Sequence, residues 1–377
     1  MTQARTLRVV LAGGGSGGHI TPALAIYEGL RETVGGELQV LYVGTAHGLE
    51  TDLVPRAGVP LATIHAAALL RAGVANKIRG GLASARGVVD AYRLLGRVRP
   101  HVVVGTGGYV SGPVGLAAVL RKVPLVLQEQ NVWPGFTNRV LARRARAICV
   151  PYAEAVNYLP AGARAVVTGN PVRPSLLGIS REAARQHFGL GPEDILLVAS
   201  GGSQGAPAIN RFMTRMWPEL ARRPAVHVLW ATGPRRFDEV RKLLPESSSD
   251  GTRLQVLPYL YDMDWALRAA DVAVGRAGAN TCNEILACGV AGLLVPSPFV
   301  SENHQAKNAE HLAAAGAAVT VAESRLDDDG ASVLGTLLDD RTRRTRMTAA
   351  AQRLFRADAL SRIVHVVLSA AGRHDRI

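Results

Sequence analysis

A histidine closes the glycine run Gly13-Gly14-Gly15-Ser16-Gly17-Gly18-His19. An imidazole with a reference pKa of about 6.5 can take or give a proton near neutral pH. Residues without a Cβ let backbone amides approach an anion such as a phosphate. A second glycine stretch, Gly105-Thr106-Gly107-Gly108-Tyr109 through Pro113, and the quartet Gln128-Glu129-Gln130-Asn131 place further polar groups in the first half. The second half repeats the pattern at Ser200–Ala206, then crowds Arg276, small residues and Glu284 into Gly275–Glu284, and sets His304-Gln305 in a polar stretch ending at Asn308. Glu284, one turn inside a predicted helix, would need hydroxyl or N–H partners if buried, and ribose hydroxyls would serve. Anion binding, proton transfer and hydroxyl recognition are the chemistries these residues can do.

Two familiar phosphate patterns fit less well. Gly13-x-Gly15-x-x-Gly18 matches the dinucleotide fingerprint, but the second predicted strand ends in Gly44-Thr45 where a ribose-binding acid is expected. A nucleotide triphosphatase loop needs Lys where His19 stands.

Positioning these loops requires strands. Apolar runs at Leu7–Ala12, Leu38–Val43, Val102–Val104, Leu125–Leu127 and Ile148–Val150 alternate with helical or glycine-rich segments, which predicts a mostly parallel sheet with its ligand loops along one edge. A helix is predicted over Pro22–Leu30. The proline- and glycine-rich stretch Tyr158–Ser180 divides the chain, giving domains at 1–168 and 169–377 with the last helix able to pack back on the first. The second half restarts with strands at Ile195–Ala199, Val226–Trp230, Leu254–Leu257, Val272–Val274, Leu293–Val295 and Ala318–Val321 and a helix from Ala208. The expected fold class is α/β, with two facing Rossmann-like domains and a ligand cleft between them.

Of 377 residues, 48% are hydrophobic and three are cysteines without metal-ligand spacing, which predicts a cytosolic protein with reduced core thiols. No apolar run approaches a membrane span, and no signal pattern opens the chain. The net charge of +13 is uneven: residues 1–170 hold 18 Lys and Arg against 8 Asp and Glu, and the rest 25 against 22. Within Leu69–Arg99, Arg71, Lys77, Arg79, Arg86, Arg93, Arg97 and Arg99 face a single acid, Asp90, while apolar residues recur at helical spacing. Such a segment suits an anionic membrane surface, and equally a packed helix with a solvated basic face.

The order and spacing of Gly13–His19, Gly105–Pro113, 128–131, Gly169–Arg173, Gly201–Ala206, Arg276–Glu284 and His304–Asn308 resemble the MurG glycosyltransferase family over almost the whole chain. The resemblance implies the GT-B fold and inverting transfer of N-acetylglucosamine from UDP-N-acetylglucosamine to the C4 hydroxyl of undecaprenyl-diphosphate-N-acetylmuramyl-pentapeptide, in peptidoglycan synthesis. It implies work at the cytoplasmic face of the plasma membrane, as a peripheral protein without cofactor or obligate metal. On the donor side it implies Ser16, Gly17, Gly18, Asn131, Arg173, Ser203, Tyr259, Leu260, Arg276, Ala279, Asn280, Thr281, Glu284, His304 and Gln305. For the acceptor it implies Gly14, Gly15, Thr106, Gly107, Gly108 and Tyr109. His19 is the candidate base and Glu129 its competitor, with Arg276 assisting the leaving diphosphate. Asp262-x-Asp264 reads as a helix N-cap rather than a metal pair. Only Tyr92 supplies an aromatic in the basic segment, so docking is expected to rest on charge.

Two other functions fit the same framework: a UDP-N-acetylglucosamine epimerase, and a non-enzymatic module binding nucleotide-sugar. Nucleic acid is disfavoured because the basic stretches lack aromatic interleaving.

Overall fold

The computed structural model describes residues 6–66, 74–202, 204–245 and 253–373, with side chains of 74–83 outside the description. Ser203 and residues 69–73 of the basic segment therefore lie outside the described residues. The chain forms two units, Met1–Arg173 with Arg356–Ile377, and Pro174–Phe355. Gly169–Arg173 thus completes the first unit, a few residues beyond the division expected at 168.

The first unit runs β1 (Leu7–Ala12), α1 (Gly17–Val34), β2 (Leu38–Gly44), α2 (Glu50–Arg56), β3 (Leu61–Thr63), α3 (Val74–Val98), β4 (Val102–Gly105), α4 (Gly108–Leu120), β5 (Leu125–Gln128), α5 (Phe136–Leu141), β6 (Ala147–Val150) and β7 (Ala165–Val167). Every described pairing is parallel, in the order β3-β2-β1-β4-β5-β6-β7. Strands such as Val102–Gly105 and Leu125–Gln128 are buried throughout, as a sheet covered on both faces demands. The helix predicted from Pro22 begins five residues earlier, at Gly17, so the last glycines of the first loop are its opening turn. In α3 Gly87 serves packing, since a Cβ there would strike the carbonyl oxygen of His65.

The second unit runs α6 (Pro174–Gly178), α7 (Arg181–His187), β8 (Ile195–Ser200), α8 (Pro207–Ala221), β9 (Val226–Ala231), α9 (Phe237–Lys242), β10 (Leu254–Leu257), α10 (Met263–Ala269), β11 (Val272–Gly275), α11 (Ala279–Cys288), β12 (Ala291–Leu294), α12 (His304–Ala314), β13 (Ala318–Thr320), α13 (Leu326–Asp339) and α14 (Arg341–Leu354). Its sheet is also parallel, ordered β10-β9-β8-β11-β12-β13. Asp262 holds the N-cap position of α10 but makes no capping bond, and Asp264 instead accepts from Ser175 Oγ at 2.8 Å. The chain then returns to the first unit as α15 (Ala359–Ala370), whose Ile363, Val364, Val367 and Leu368 join Leu7, Val9, Ile26 and Leu30 in one core.

In both sheets the strand order reverses at one place, between β1 and β4 in the first and between β8 and β11 in the second. In open parallel sheets, ligand-binding loops leave the carboxyl ends of the strands at such a reversal. They are the glycine loops of the sequence. Burial pushes the thiols of Cys149, Cys282 and Cys288 up to about 12, so none is a thiolate near neutral pH.

Candidate functional site

In the first unit the loops after β1 and β4 are stapled together. Thr106 donates its backbone N–H to Ala12 O at 2.9 Å and its Oγ1 to the carbonyl oxygen of His19 at 2.7 Å. Ser111 Oγ donates to Ala12 O at 2.7 Å. A Cβ at Gly14 would come within 2.6 Å of Val110 Cγ2, one at Gly15 within 2.6 Å of Tyr109 Cε1, and one at Gly108, where φ is +75, would strike Gly14 O. These glycines serve the approach of one loop to another. Gly17, with nothing within 4 Å, and the exposed Ser16 and Gly18 are what the first helix start presents to solvent.

The resemblance places Thr106 and Gly14 among the acceptor contacts. In the structure Thr106 is fully buried, Gly14 is buried between Val110 and Glu50, and both join the two loops. Gly15, exposed beneath the half-buried Tyr109 ring, remains open to a ligand.

His19 lies in the first turn of α1 with its ring against the Gly107-Gly108 backbone; a Cβ on Gly107 would fall 2.9 Å from Nδ1. Nδ1 is 3.1 Å from the carbonyl oxygen of Thr106 and 3.3 Å from Gln130 Oε1. The Gln130 amide is oriented by its other end, since Nε2 donates to Thr106 O at 2.7 Å, to Gln128 O at 3.1 Å and to Gln128 Oε1. Both neighbours of Nδ1 are acceptors, so the neutral ring carries its proton there and its basic lone pair on Nε2. Asn170 closes the network, donating to Gln130 O at 2.7 Å and accepting from Gln128 Nε2 at 3.1 Å.

Glu129, 1% exposed, has its carboxylate filled by five donors. Gln130 N, Asn131 N and Asn131 Nδ2 reach Oε1 at 2.9, 2.9 and 3.0 Å, and Gly135 N and Asn138 Nδ2 reach Oε2 at 2.9 and 2.8 Å. A general base must meet the proton it takes. With both oxygens occupied, Glu129 is the hub that shapes residues 129–138. Asn131, a donor-side residue by resemblance, is held at this hub.

Sequence reasoning missed Glu50. It is fully buried and accepts from Thr45 N at 2.9 Å and Thr45 Oγ1 at 2.8 Å, beside Gly14, Gly44 and Gly48. From the start of α2 its carboxylate thus folds back onto Thr45 at the end of β2.

In the second unit, α11 starts after Gly278, whose extended φ of −65 and ψ of 147 come with no side-chain cap over the first turn of Ala279, Asn280 and Thr281. That end of the helix favours an anion. Asn308 Nδ2 donates to Ala277 O at 3.2 Å, tying the start of α12 to this turn. Gln305 Oε1 accepts from Ser297 N at 2.9 Å, fixing the loop before His304. The first of these bonds ties α12, the helix that begins with His304-Gln305, to the turn of Arg276–Thr281. Glu284 is half-buried rather than enclosed. Tyr259 and Leu260 follow β10 at the far edge of the sheet; Leu260 is buried in the core, and Tyr259 is exposed against Tyr261 with ring centroids 4.9 Å apart. Arg276 Nη1 lies 2.6 Å from Glu323 Oε2 and 3.2 Å from Val295 O, so its charge is already partly balanced. Arg173, half-buried, ends the first unit. Among the described residues no three His, Cys, Asp or Glu gather in a way that would hold a metal ion.

Residues 9–150 match the glycosyltransferase family 28 N-terminal domain, and residues 195–363 its C-terminal domain. The chain is 45% identical over 96% of its length, and 98% of the relative's, to the UDP-N-acetylglucosamine--N-acetylmuramyl-(pentapeptide) pyrophosphoryl-undecaprenol N-acetylglucosamine transferase of Moorella thermoacetica. The crystal structure of Acinetobacter baumannii MurG superposes with a TM-score of 0.75 at 29% identity, covering 96% of this chain and 99% of that one. A UDP-GlcNAc 2-epimerase from Neisseria meningitidis reaches 0.66 at 14% identity, with 96% and 99% covered, a likeness of fold alone. With two Rossmann-like units in the GT-B fold and near full-length identity of this order, the chain belongs to the MurG family of N-acetylglucosamine transferases.

Proposed function

We infer that the chain moves N-acetylglucosamine from UDP-N-acetylglucosamine to the C4 hydroxyl of lipid-linked N-acetylmuramyl-pentapeptide. The observation that carries this is the 45% identity along 96% of the chain to a transferase of that name. In the proposed reaction the acceptor hydroxyl attacks C1 with inversion as His19 Nε2 takes its proton, and the C1–phosphate bond breaks with its electron pair leaving on UDP. The locked Nδ1 proton supports His19 as base. The start of α11 behind the glycine N-cap Gly278, with Arg276, supports the second unit as holder of the leaving diphosphate. Between β10 and β11 lie three strand spacings, about 14 Å, which suits an extended nucleotide with its base near Tyr259 and its diphosphate near Ala279–Thr281. In this reading Glu284 meets the ribose, and His304 and Gln305 the sugar.

The first unit is proposed to meet the membrane. Here α4 packs against both α3 and α5, and these helices expose Val89 and Tyr92, Leu116 and Leu120, and Phe136 and Val140. Arg86, Arg93, Arg97, Lys122, Arg143 and Arg144 are exposed on or next to the same helices. Arg121 stacks 3.9 Å over the Tyr92 ring. Docking would therefore combine apolar contact with charge, where the sequence predicts charge chiefly. No helix among the described residues is long and apolar enough to cross a membrane.

The test of function is transfer of labelled N-acetylglucosamine from its UDP derivative to a short-chain lipid-linked muramyl-pentapeptide. Label in the lipid product that depends on acceptor supports the reading; a new UDP-sugar formed without acceptor would replace it by epimerisation.

A further inference from the structure

Arg276 does more than face the helix start. From the end of β11 its side chain crosses the end of β12, where Nη1 meets Val295 O at 3.2 Å, and reaches Glu323 in the turn after β13, 2.6 Å away. The three strands are held in step below it by Val295 N to Gly275 O at 2.8 Å and Val321 N to Leu294 O at 3.0 Å. Both side chains are mostly enclosed, Arg276 13% and Glu323 19% exposed. Glu323 Oε2 is buried and receives no aligned hydrogen bond, so the contact is charge attraction at short range. Ion pairs removed from water are weak stabilisers, because desolvation offsets much of their attraction. A carboxylate beside an arginine three residues ahead of a helix start that favours anions therefore calls for an explanation other than stability.

We propose that Glu323 is a positioning residue that fixes the Arg276 guanidinium beside the start of α11 and, by competing with a diphosphate for that guanidinium, weakens the hold on the UDP product. The proposal rests on the reading that Arg276 meets the donor diphosphate. It makes release of UDP faster at the expense of tight binding, which is useful where product departure limits turnover.

The experiment is calorimetric titration of UDP into the full-length protein, its Glu323→Gln and Arg276→Ala variants, and the double variant. Glu323→Gln removes the competing charge at constant size and is expected to bind UDP at least threefold more tightly, with slower UDP release. That gain is expected to vanish in the Arg276→Ala background, because a double-mutant cycle isolates what passes between the two residues. Glu323→Ala is a second neutral variant, and tighter UDP binding by either one supports the proposal. Unchanged or weaker UDP binding in the folded neutral variants, or a gain that persists without Arg276, overturns it. Wild-type UDP affinity in Arg276→Ala alone is a different result: it refutes the contact between Arg276 and the diphosphate on which the proposal stands.

Discussion

Thr106 and His19 hold each other through two bonds of opposite sense. Thr106 Oγ1 donates to the carbonyl oxygen of His19 at 2.7 Å, and His19 Nδ1 donates back to the carbonyl oxygen of Thr106 at 3.1 Å. One residue comes from the β4 loop and the other from the first turn of α1, so the bonds that join the loops also select the ring's tautomer. The loop glycines make this approach sterically possible.

Two glycines in these loops are expected to respond oppositely to alanine. Gly108→Ala forces a Cβ into Gly14 O at a φ of +75 and is expected to cost more than about 3 kcal/mol in denaturant unfolding. Gly17→Ala enters open space at a helix start and should leave stability within about 1 kcal/mol. Its effect should fall on KM, read in steady-state kinetics, where a bound substrate approaches the backbone.

Glu129→Ala strands five donors around a buried site and is expected to destabilise the chain by about 3 kcal/mol, lowering Tm together with activity. An unchanged Tm with lost turnover would return Glu129 to the role of base.

Leu120→Asp and Val140→Asp are expected to lower binding to anionic vesicles even at high salt, because they remove apolar contact. Reversing Arg93 or Arg97 should matter mainly at low salt, by about 1 kcal/mol per residue near the surface. Sedimentation with anionic and with neutral vesicles, at low and at high salt, separates the two contributions.

The fold was legible wherever a strand sits inside a sheet. Runs such as Val102–Gly105 are buried on both faces and read as unbroken apolar stretches. The two strands that escaped, Leu61–Thr63 and Ala165–Val167, are three residues long and occupy the two edges of the first sheet, where pairing on one side demands little of the side chains. The glycine loops were legible as places, but their reason was not. Gly107 and Gly108 admit the His19 ring and Gly14 from the other loop, and the contact of His19 with Gln130 joins residues 111 apart. Glu129 and Arg276 were legible as polar groups after buried strands. Their partners, Asn138 and Glu323, are set by tertiary packing that no local pattern encodes.

Single-turnover transfer measured against pH tests most directly whether His19 receives the acceptor proton. A base works only when deprotonated, so the wild-type chemical step should rise with pH on the acid side and then level off. His19→Ala should slow that step by about 100-fold or more and abolish the rise at the acid side. A chemical step in His19→Ala that keeps the wild-type rate and the wild-type pH dependence would contradict the account.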